Sequence, residues 1–474
     1  MRICLLTEGS YPYVVGGVSS WIQMLIEGMP EHEFVVYSIG AEEKDRGKFK
    51  YKLPVNLKSV QEVFLDSILQ LKSPAMTLHC LNEEEKEWIA DLLRGTVNAD
   101  IDKLASIFRG PGKKPAMQIF MSADFFDIIE KVYIEKYNYL PFTDFFWTMR
   151  SMLVPLFYLM QQELPQADIY HSVATGYSGV LGGIAGRAGH KPFLITEHGI
   201  YSREREEEII KCSWAEGDFK TIWIQYFYTL AHLAYQSADQ VYTLFEKNAE
   251  IEEQLGCAAD KIHIVPNGIR MERFAGIAPL EAHDGYITVG AAVRVVPIKD
   301  IVTMLRAFRL AQAKMPDMHF EIMGQYEEDP EYYGICQQTV KTIGLKYVNF
   351  TGSVNVADYY GHMDLLVLSS ISEGQPLAVI EGMASARPFV ATDVGCCREL
   401  LYGSHGDTLG CAGILAAAMD YEAIARSILQ LATDVKLRRE MGCIGRERVQ
   451  ARYTYEQFIQ SYRDIYTQAE RGKR

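Results

Sequence analysis

Short apolar runs that end in glycine, serine or charged residues recur along this chain, and they constrain its fold more than any other feature. The first run, Arg2 to Thr7, ends in Glu8-Gly9-Ser10. Such a run is typical of a parallel strand that is buried on both faces. A helical window from Val18 to Met29 follows, and Glu33 to Ile39 is strand-like again. Together they predict a βαβ unit, the beginning of a doubly wound sheet.

The same alternation of strand and helix occurs in two separate halves of the chain. After a less regular stretch from about 41 to 165, which we interpret as a mostly helical insertion, strand-like runs resume at Asp168 to Ser172. A linker at about Arg270 to Asp284 leads to a second series that begins at Tyr286 to Val293. The sequence therefore predicts an α/β protein with two Rossmann-like, doubly wound parallel-sheet domains facing a cleft, at residues 1–276 and 277–452. A last helix, 453–474, is expected to pack back toward the N-terminal domain.

Composition excludes several classes of protein. The chain has 474 residues, of which 48% are hydrophobic and 23% charged, as in soluble globular proteins. Its formal net charge of −14 argues against general binding of nucleic acid, because an acidic surface repels phosphate. The most apolar stretch, Met152 to Met160, contains Pro155 and is too short to span a bilayer. The nine cysteines contain no C-x-x-C pair, which indicates neither a zinc site nor a disulfide framework and suits a reducing cytosol.

Two glutamates follow a predicted strand of the second half. The strand ends near Ser369, Glu373 lies in the loop after it, and Glu381 lies in the next helix. Pro376 suits the first turn of that helix, where its missing N–H costs nothing. The helix start offers free N–H groups and a positive dipole end. Carboxylates accept hydrogen bonds from vicinal diols, so this loop predicts a site for a sugar or a ribose.

Two cations and a histidine also follow predicted strands. Arg294 and Lys299 come after the first strand of the second half, where a pair of cations can clamp a diphosphate and stabilise a charged leaving group. His198 ends a strand of the first half and can bond a sugar hydroxyl or a reacting group. Gly17 lies in the first βα loop, where a backbone can approach a ligand closely.

These motifs together resemble family 4 of the retaining glycosyltransferases, which have the GT-B fold. Glu373 and Glu381 match its E-x7-E motif, and Arg294 and Lys299 its R-x4-K pair. Thr351 to Val354 resembles the loop against the nucleotide base. The resemblance implies the following site: Arg294, Lys299 and Gly17 at the donor diphosphate; Glu373, Gly374, Gln375 and Pro376 at the donor sugar; Glu381 and Val354 at the nucleoside; His198 and Glu373 as catalytic residues; and no metal.

Within this family, the start of the chain and the turn from Gly395 to Leu400 resemble the glycosyltransferases of Pel-type exopolysaccharide synthesis. That resemblance implies a UDP-sugar donor, transfer of a hexose or N-acetylhexosamine, a polysaccharide acceptor and no cofactor. It also implies a soluble cytoplasmic enzyme that works beside membrane-embedded synthesis subunits, with recruitment to the inner face of the membrane. Val293 and Cys396 depart from the broader family, which has glycine at both positions.

Three other functions remain open from the residues alone. A UDP-sugar epimerase or a phosphorylase on the same fold would also bind the donor, but no dedicated acid/base pair or pyridoxal lysine is evident. A glycosidase would use Glu373 and Glu381 as acid and base, which leaves the cation pair without a role. The third alternative is a non-catalytic scaffold that binds a nucleotide-sugar. The intact set of four charged residues argues against it: Arg294, Lys299, Glu373 and Glu381.

Overall fold

The computed structural model describes residues 1–70, 78–95, 99–110, 112–281 and 285–472. Parts of the predicted insertion, linker and terminal helix, at 71–77, 96–98, 111, 282–284 and 473–474, lie outside the described residues. The chain forms two compact units. Unit 1 comprises residues 1–243, 248–264 and 462–474, and unit 2 comprises residues 244–247 and 265–461. The linker predicted at about 270–284 lies on the unit 2 side of this division.

Unit 1 is built on a parallel sheet, which has seven strands within the described ranges. Their order is β3-β2-β1-β4-β5-β6-β7. The central strands are buried on both faces, and β1 and β5 accordingly contain continuous apolar runs, whereas β4 also buries His171 and Ser172. The strands are β1 (Arg2–Glu8), β2 (Glu33–Gly40), β3 (Leu57–Phe64), β4 (Ile169–Ser172), β5 (Phe193–Glu197), β6 (Gln240–Thr243) and β7 (Ile262–Ile264).

Unit 2 contains a second parallel sheet, of six strands in the part of the chain that the structure covers. Their order is β10-β9-β8-β11-β12-β13. Each sheet has its own apolar core. The strands are β8 (Thr288–Ala292), β9 (His319–Met323), β10 (Val348–Gly352), β11 (Leu365–Leu368), β12 (Phe389–Thr392) and β13 (Gly413–Ala416). Two doubly wound parallel-sheet domains are therefore confirmed.

Helices fill the connections between strands, and several begin at a side-chain cap. In α2, Asn82 and Glu85 form a reciprocal capping box that satisfies amides of the first turn. The helices of the first sheet are α1 (Gly17–Gly28), α2 (Glu83–Arg94), α3 (Ile101–Phe108), α4 (Ala116–Phe120), α5 (Ala123–Val132), α6 (Phe142–Met160), α7 (Tyr177–Gly189), α8 (Tyr201–Lys211), α9 (Asp218–Ser237) and α10 (Glu246–Gln254). The later helices are α11 (Ile301–Gln312), α12 (Pro330–Ile343), α13 (Val356–Tyr360), α14 (Leu377–Ala384), α15 (Cys397–Tyr402), α16 (Tyr421–Thr433), α17 (Val435–Arg452) and α18 (Tyr455–Gly472).

The stretch predicted as a mostly helical insertion differs from expectation at its start. Strand β3 lies inside it and pairs in parallel with β2, so helices begin to dominate only after the sheet edge is complete. An edge strand has one neighbour and is less buried than a central strand, and the sequence of β3 mixes apolar and polar residues instead of forming an apolar run. Because Leu57–Phe64 contains no continuous apolar run, its sequence did not indicate a strand.

The end of α18 belongs to unit 1. Its Tyr466 hydroxyl lies 2.8 Å from Nδ1 of His171 on β4, and the Tyr462 hydroxyl lies 3.0 Å from Oγ1 of Thr196 on β5. Both tyrosines are fully buried. The helix end is therefore part of the core of the first sheet and covers two of its central strands.

No helix among the described residues combines the length and the apolar character that crossing a membrane requires.

Candidate functional site

The carboxyl edge of the second sheet has a switch point between β8 and β11. These strands are neighbours in the sheet, but the chain leaves β8 toward β9 on the other side. The loops that follow β8 and β11 therefore diverge and leave a crevice, where ligands of doubly wound folds bind. Arg294 and Lys299 lie in the loop after β8, and Glu373 lies in the loop after β11.

Hydrogen bonds join these two loops to each other. The hydroxyl of Ser369 donates to the carbonyl oxygens of Lys299, at 2.8 Å, and Asp300, at 3.0 Å. The backbone N–H of Ile371 donates to the carbonyl of Ile298 at 2.9 Å. Because Ser369 is fully buried, these bonds are shielded from water and hold the two loops in register.

Lys299 and Glu373 form an ion pair at the centre of this crevice. The Lys299 Nζ lies 2.5 Å from Oε1 of Glu373, and the Ser370 hydroxyl donates to the same oxygen at 2.5 Å. The side chains are only 17% and 9% exposed. The structure thus brings together a predicted diphosphate residue and a predicted sugar residue. A cation and a carboxylate held side by side can meet the negative and the positive charge that develop when a glycosyl phosphate bond breaks.

Arg294 is paired elsewhere in this structure. Its Nη1 donates to both carboxylate oxygens of Glu328, at 2.6 and 2.8 Å, and both side chains are largely solvent-exposed. Gly324, between β9 and Glu328, has a φ of +153°, and a Cβ there would lie 2.0 Å from the carbonyl oxygen of Val293. A glycine is therefore required where this loop crosses the backbone that carries Arg294.

Glu381 lies on α14 beside the loop that follows β10. Its Oε1 is 3.4 Å from Nη1 of Arg273, and Nη2 of the same arginine donates to the side-chain oxygen of Asn355 at 3.3 Å. Val354, the predicted nucleoside contact, is half-buried and directly precedes Asn355. Burial raises the pKa of Glu381, and the Arg273 cation opposes that rise. Arg273 thus joins Glu381 to Asn355, the residue that follows Val354.

The loop from Glu373 to Pro376 packs against the turn after β12. Gly395 in that turn has a φ of +52°, and a Cβ on it would lie 2.2 Å from the Glu373 carbonyl oxygen. The next residue, Cys396, donates its N–H to the Gly374 carbonyl at 2.9 Å. Pro376 is the N-cap of α14, one position earlier than the first turn predicted from the sequence.

The side chain of Gln375 is held by contacts within unit 2. Its side chain is 8% exposed, its Oε1 accepts the backbone N–H of Asn267 at 2.7 Å, and its Nε2 lies 3.9 Å from the sulfur of Cys396. These contacts turn the amide toward the protein interior. Residues Gly374 to Pro376 therefore offer only their backbone to a ligand, together with the amides at the start of α14.

The first sheet has the equivalent switch point between β1 and β4. A cavity of about 320 Å³ lies there, at the carboxyl ends of β1, β2, β4 and β5. Burial raises the pKa of Glu8, which accepts a hydrogen bond from the Tyr201 hydroxyl at 2.7 Å. The lining residues are Glu8, Gly9, Ser10, Val18, Ile39, Gly40, Ala41, Leu65, Val173, Ala174, His198, Gly199, Tyr201, Glu204 and Arg205.

His198 lines this cavity and is held by an aromatic contact. Its ring meets Trp21 of α1 edge to face, with centroids 4.7 Å apart. Burial lowers the pKa of His198 to about 4, so the imidazole is neutral at physiological pH. Its Nε2 has no hydrogen-bond partner within the described structure. Gly17 is the first residue of α1, and a Cβ there would meet open space.

Two roomier cavities lie at the opposite, amino edges of the sheets. One, of about 700 Å³, is lined by Arg2 and Asp168 in unit 1, and the other, of about 780 Å³, by Thr288 and His319 in unit 2. Ligands of doubly wound sheets bind outside the carboxyl ends of the strands. We therefore assign the candidate site to the carboxyl edges, where the predicted site residues Lys299, Glu373 and His198 also lie.

The sequence analysis missed three residues of these edges. Arg273 and Glu328 are the ion-pair partners of Glu381 and Arg294, and no local pattern marks either one. Glu8 is the last residue of β1, so the rule that singled out His198 at a strand end could also have found it.

Two family models match the chain in succession. The model described as "Domain of unknown function (DUF3492)" matches residues 1–260, more than half of the chain. The model described as "Glycosyl transferases group 1" matches residues 285–434, which include the unit 2 switch point.

Relatives of the chain include several glycosyltransferases. The chain is 25% identical over 316 residues to "Putative glycosyltransferase EpsD" of Bacillus subtilis, 63% of this chain and 76% of that protein. It is 27% identical over 230 residues to "N-acetyl-alpha-D-glucosaminyl L-malate synthase" of Bacillus anthracis, 48% of this chain and 56% of that protein. It is 24% identical over 211 residues to "Capsular polysaccharide biosynthesis glycosyltransferase CapM" of Staphylococcus aureus, 42% of this chain and 52% of that protein. With the last two, the matched region is little more than half of the relative's length.

Solved structures share the fold across nearly the whole chain. Sucrose-phosphate synthase from Thermosynechococcus elongatus aligns with a TM-score of 0.60 and 17% identity, covering 98% of each chain. Anabaena HepE in complex with UDP aligns with a TM-score of 0.62 and 16% identity, covering 99% of this chain and 100% of that one. At this level of identity the likeness shows the fold alone.

Proposed function

The chain belongs to the family described as "Domain of unknown function (DUF3492)" and is a glycosyltransferase of the GT-B type, and on this premise we propose that it moves a hexose or N-acetylhexosamine from a UDP-sugar to a growing polysaccharide with retention of configuration. The observation that carries the proposal is the Lys299–Glu373 pair at the switch point of the second sheet.

The donor in this proposal is held by unit 2. Lys299 and Arg294 bind the diphosphate, and Arg294 exchanges Glu328 for a phosphate oxygen. That exchange is inexpensive, because an exposed ion pair contributes only about 0–1 kcal/mol. Glu381 accepts hydrogen bonds from the ribose, Val354 lies against the base, and Glu373 with the backbone of Gly374 to Pro376 meets the sugar. In the N-terminal unit, the proposal assigns His198 as a catalytic residue and Gly17 to the diphosphate or the acceptor.

The proposed transfer takes place on one face of the sugar. The bond between the anomeric carbon and the donor phosphate breaks, and the acceptor oxygen bonds to the same carbon from the same side. The leaving phosphate oxygen accepts the acceptor's proton, so charge balances without a separate base. Lys299 stabilises the negative charge on the phosphate, and Glu373 stabilises the positive character of the sugar ring. Because two cations already serve the diphosphate, we propose that no metal is needed, and turnover that persists in excess EDTA would support this.

A ligand screen tests the proposed donor class. Thermal unfolding is followed with UDP, GDP and ADP, and with their hexose and N-acetylhexosamine conjugates. A ligand at 100 times its Kd stabilises the folded state by about 2.7 kcal/mol, and we expect the uridine series to do so. Titration calorimetry in which GDP binds tenfold more tightly than UDP would overturn the uridine assignment. Release of UDP on addition of acceptor then separates a transferase from a scaffold, and return of an epimerised donor would identify an epimerase.

The most specific part of the proposal is the biosynthetic pathway. The turn Gly395-Cys396-Cys397 and the segment Thr196 to Tyr201 resemble PelF, the cytosolic glycosyltransferase of Pel exopolysaccharide synthesis. The similarity to a capsular polysaccharide glycosyltransferase supports a polysaccharide acceptor. On this proposal the protein acts in the cytoplasm, is recruited to the inner face of the membrane, and works beside membrane-embedded synthesis subunits. Co-purification with such subunits from the native membrane is the corresponding measurement.

A further inference from the structure

Glu197 ends β5 directly before His198 and is buried, with 1% of its surface exposed. Its carboxylate accepts three hydrogen bonds. The donors are the hydroxyl of Tyr235, at 2.5 Å, the hydroxyl of Thr175, at 2.9 Å, and the backbone N–H of Tyr201, at 2.9 Å. A carboxylate with three donors is well satisfied, although burial by itself raises its pKa.

The bond to Tyr201 closes a short loop. Tyr201 is the first residue of α8, so Glu197 supplies an acceptor to a helix start whose amides otherwise lack one. The loop between them consists of His198, Gly199 and Ile200. Both of its ends are thus fixed by one side chain, because Glu197 is the residue before the loop and the acceptor for the residue after it.

The other two donors attach this loop to the rest of unit 1. Thr175 lies between β4 and α7, and Tyr235 lies on α9. The His198 ring itself has the edge-to-face contact with Trp21 on α1. A change at Glu197 therefore releases the loop from three elements at once, while Trp21 still contacts the ring.

We infer that Glu197 is a positioning residue for glycosyl transfer, whose carboxylate closes the His198–Ile200 loop and so fixes the orientation of the imidazole at the carboxyl edge of the first sheet. The inference rests on the proposed function, because it assumes that His198 acts at the reaction centre.

A second buried carboxyl group provides a matched control. Glu252 on α10 is fully buried, and neither of its carboxylate oxygens has a hydrogen-bond partner within the described structure. Burial raises the pKa of Glu252, and the Glu197 charge raises it further. Burial and the neighbouring charge both favour the protonated form of Glu252, while Glu197 accepts its three bonds. The other ionisable groups around the two carboxyls are Glu204 on α8, Tyr235 on α9, and Cys257, Asp260 and Lys261 after α10.

The test is a double-mutant cycle between Glu197 and His198. Glu197→Gln has the same size, but its amide N–H groups face three donors. We expect kcat to fall about tenfold to a hundredfold with donor KM changed by less than about threefold, because a displaced catalytic group costs rate and not donor affinity. In a His198→Ala background the same substitution should cost less than about twofold. An equal loss in both backgrounds would overturn the inference, because Glu197 would then act independently of His198.

A structural readout separates this inference from the proposed function. The ring resonances of His198 in ¹H–¹³C NMR spectra should shift and broaden in Glu197→Gln but not in Glu252→Gln, which also replaces a buried carboxyl with an amide of the same size. If Glu197→Gln fails to fold, Tyr235→Phe removes one donor and should give a smaller shift in the same direction. Unchanged His198 resonances in a folded variant would refute the positioning role. A wild-type protein that transfers no sugar from any UDP donor would refute the proposed function and leave the NMR result standing.

Discussion

The two switch points of this molecule have opposite electrostatic character. At the second sheet, charged side chains form ion pairs, Lys299 with Glu373 and Arg294 with Glu328. At the first sheet, burial raises the pKa of Glu8 and lowers that of His198 to about 4, so burial opposes the charged form of each group. One edge thus carries paired charges, with cations that can meet a diphosphate, while the other carries buried groups whose charged forms are disfavoured. The difference teaches that equivalent positions of two similar sheets can surround their polar residues with quite different electrostatics.

Glu373→Gln should have the largest effect, because it removes charge from the centre of the charged edge. We expect kcat to fall by about 100-fold or more, the usual effect of losing one group that stabilises a transition state. Glu381→Gln, in the helix that follows the Glu373 loop, is the matched control. It should raise the donor KM more than it lowers kcat, because the ribose does not react. Steady-state kinetics with saturating acceptor measures both. If Glu381→Gln abolishes turnover at saturating donor while Glu373→Gln retains it, the two roles are reversed.

Lys299→Ala and Arg294→Ala should weaken UDP binding by about 1.5–3 kcal/mol each, the contribution of a charged hydrogen bond. The loss should be larger at Lys299, because its removal also leaves the poorly exposed Glu373 without its cation. Titration calorimetry with UDP measures both. Lys44→Ala, an exposed lysine of unit 1, is the control. Wild-type affinity in the Lys299 and Arg294 variants would place the cations outside the site and remove the contrast between the two edges.

Glu252→Gln tests whether burial in the first unit keeps the carboxyl group of Glu252 neutral. Because its folded-state pKa is raised above the ordinary value of 4.5, the folded protein holds a proton that the unfolded chain releases. Stability from this group is therefore complete below about pH 4.5 and declines as the pH rises toward the folded-state pKa, by up to about 1.4 kcal/mol per pH unit. The variant has no such proton, so its unfolding free energy should decline less between pH 6 and 8. Denaturant unfolding at several pH values measures this, and identical slopes would show that Glu252 is ionised in the folded state.

Glu328→Ala should have the smallest effect and the opposite sign. It frees Arg294 from an exposed pair, so UDP should bind more tightly by about 0.2–1 kcal/mol, and the gain should shrink at high salt. Glu327→Ala, at the preceding position, is the control. Weaker binding in the Glu328 variant would show that the pair orients Arg294 for the ligand instead of competing with it.

Much of the fold could be predicted because its signals are local. Continuous apolar runs identified the buried strands, and helical spacing identified α1 within one residue. The edge strand β3 was not predicted, because its sequence has no continuous apolar run and its place in the sheet is defined only by pairing with β2.

The candidate site, like the fold, could be predicted from the sequence only in part. The sequence by itself determined which residue types follow each strand, and thus the positions of Arg294, Lys299, Glu373 and His198 at strand ends. The tertiary structure alone decided their partners: Lys299 meets Glu373 across 74 positions, Arg294 meets Glu328 across 34, and Glu381 meets Arg273 across 108. The physical reason is that sheet order brings together loops that are distant in sequence. No periodicity of a single segment can encode that encounter.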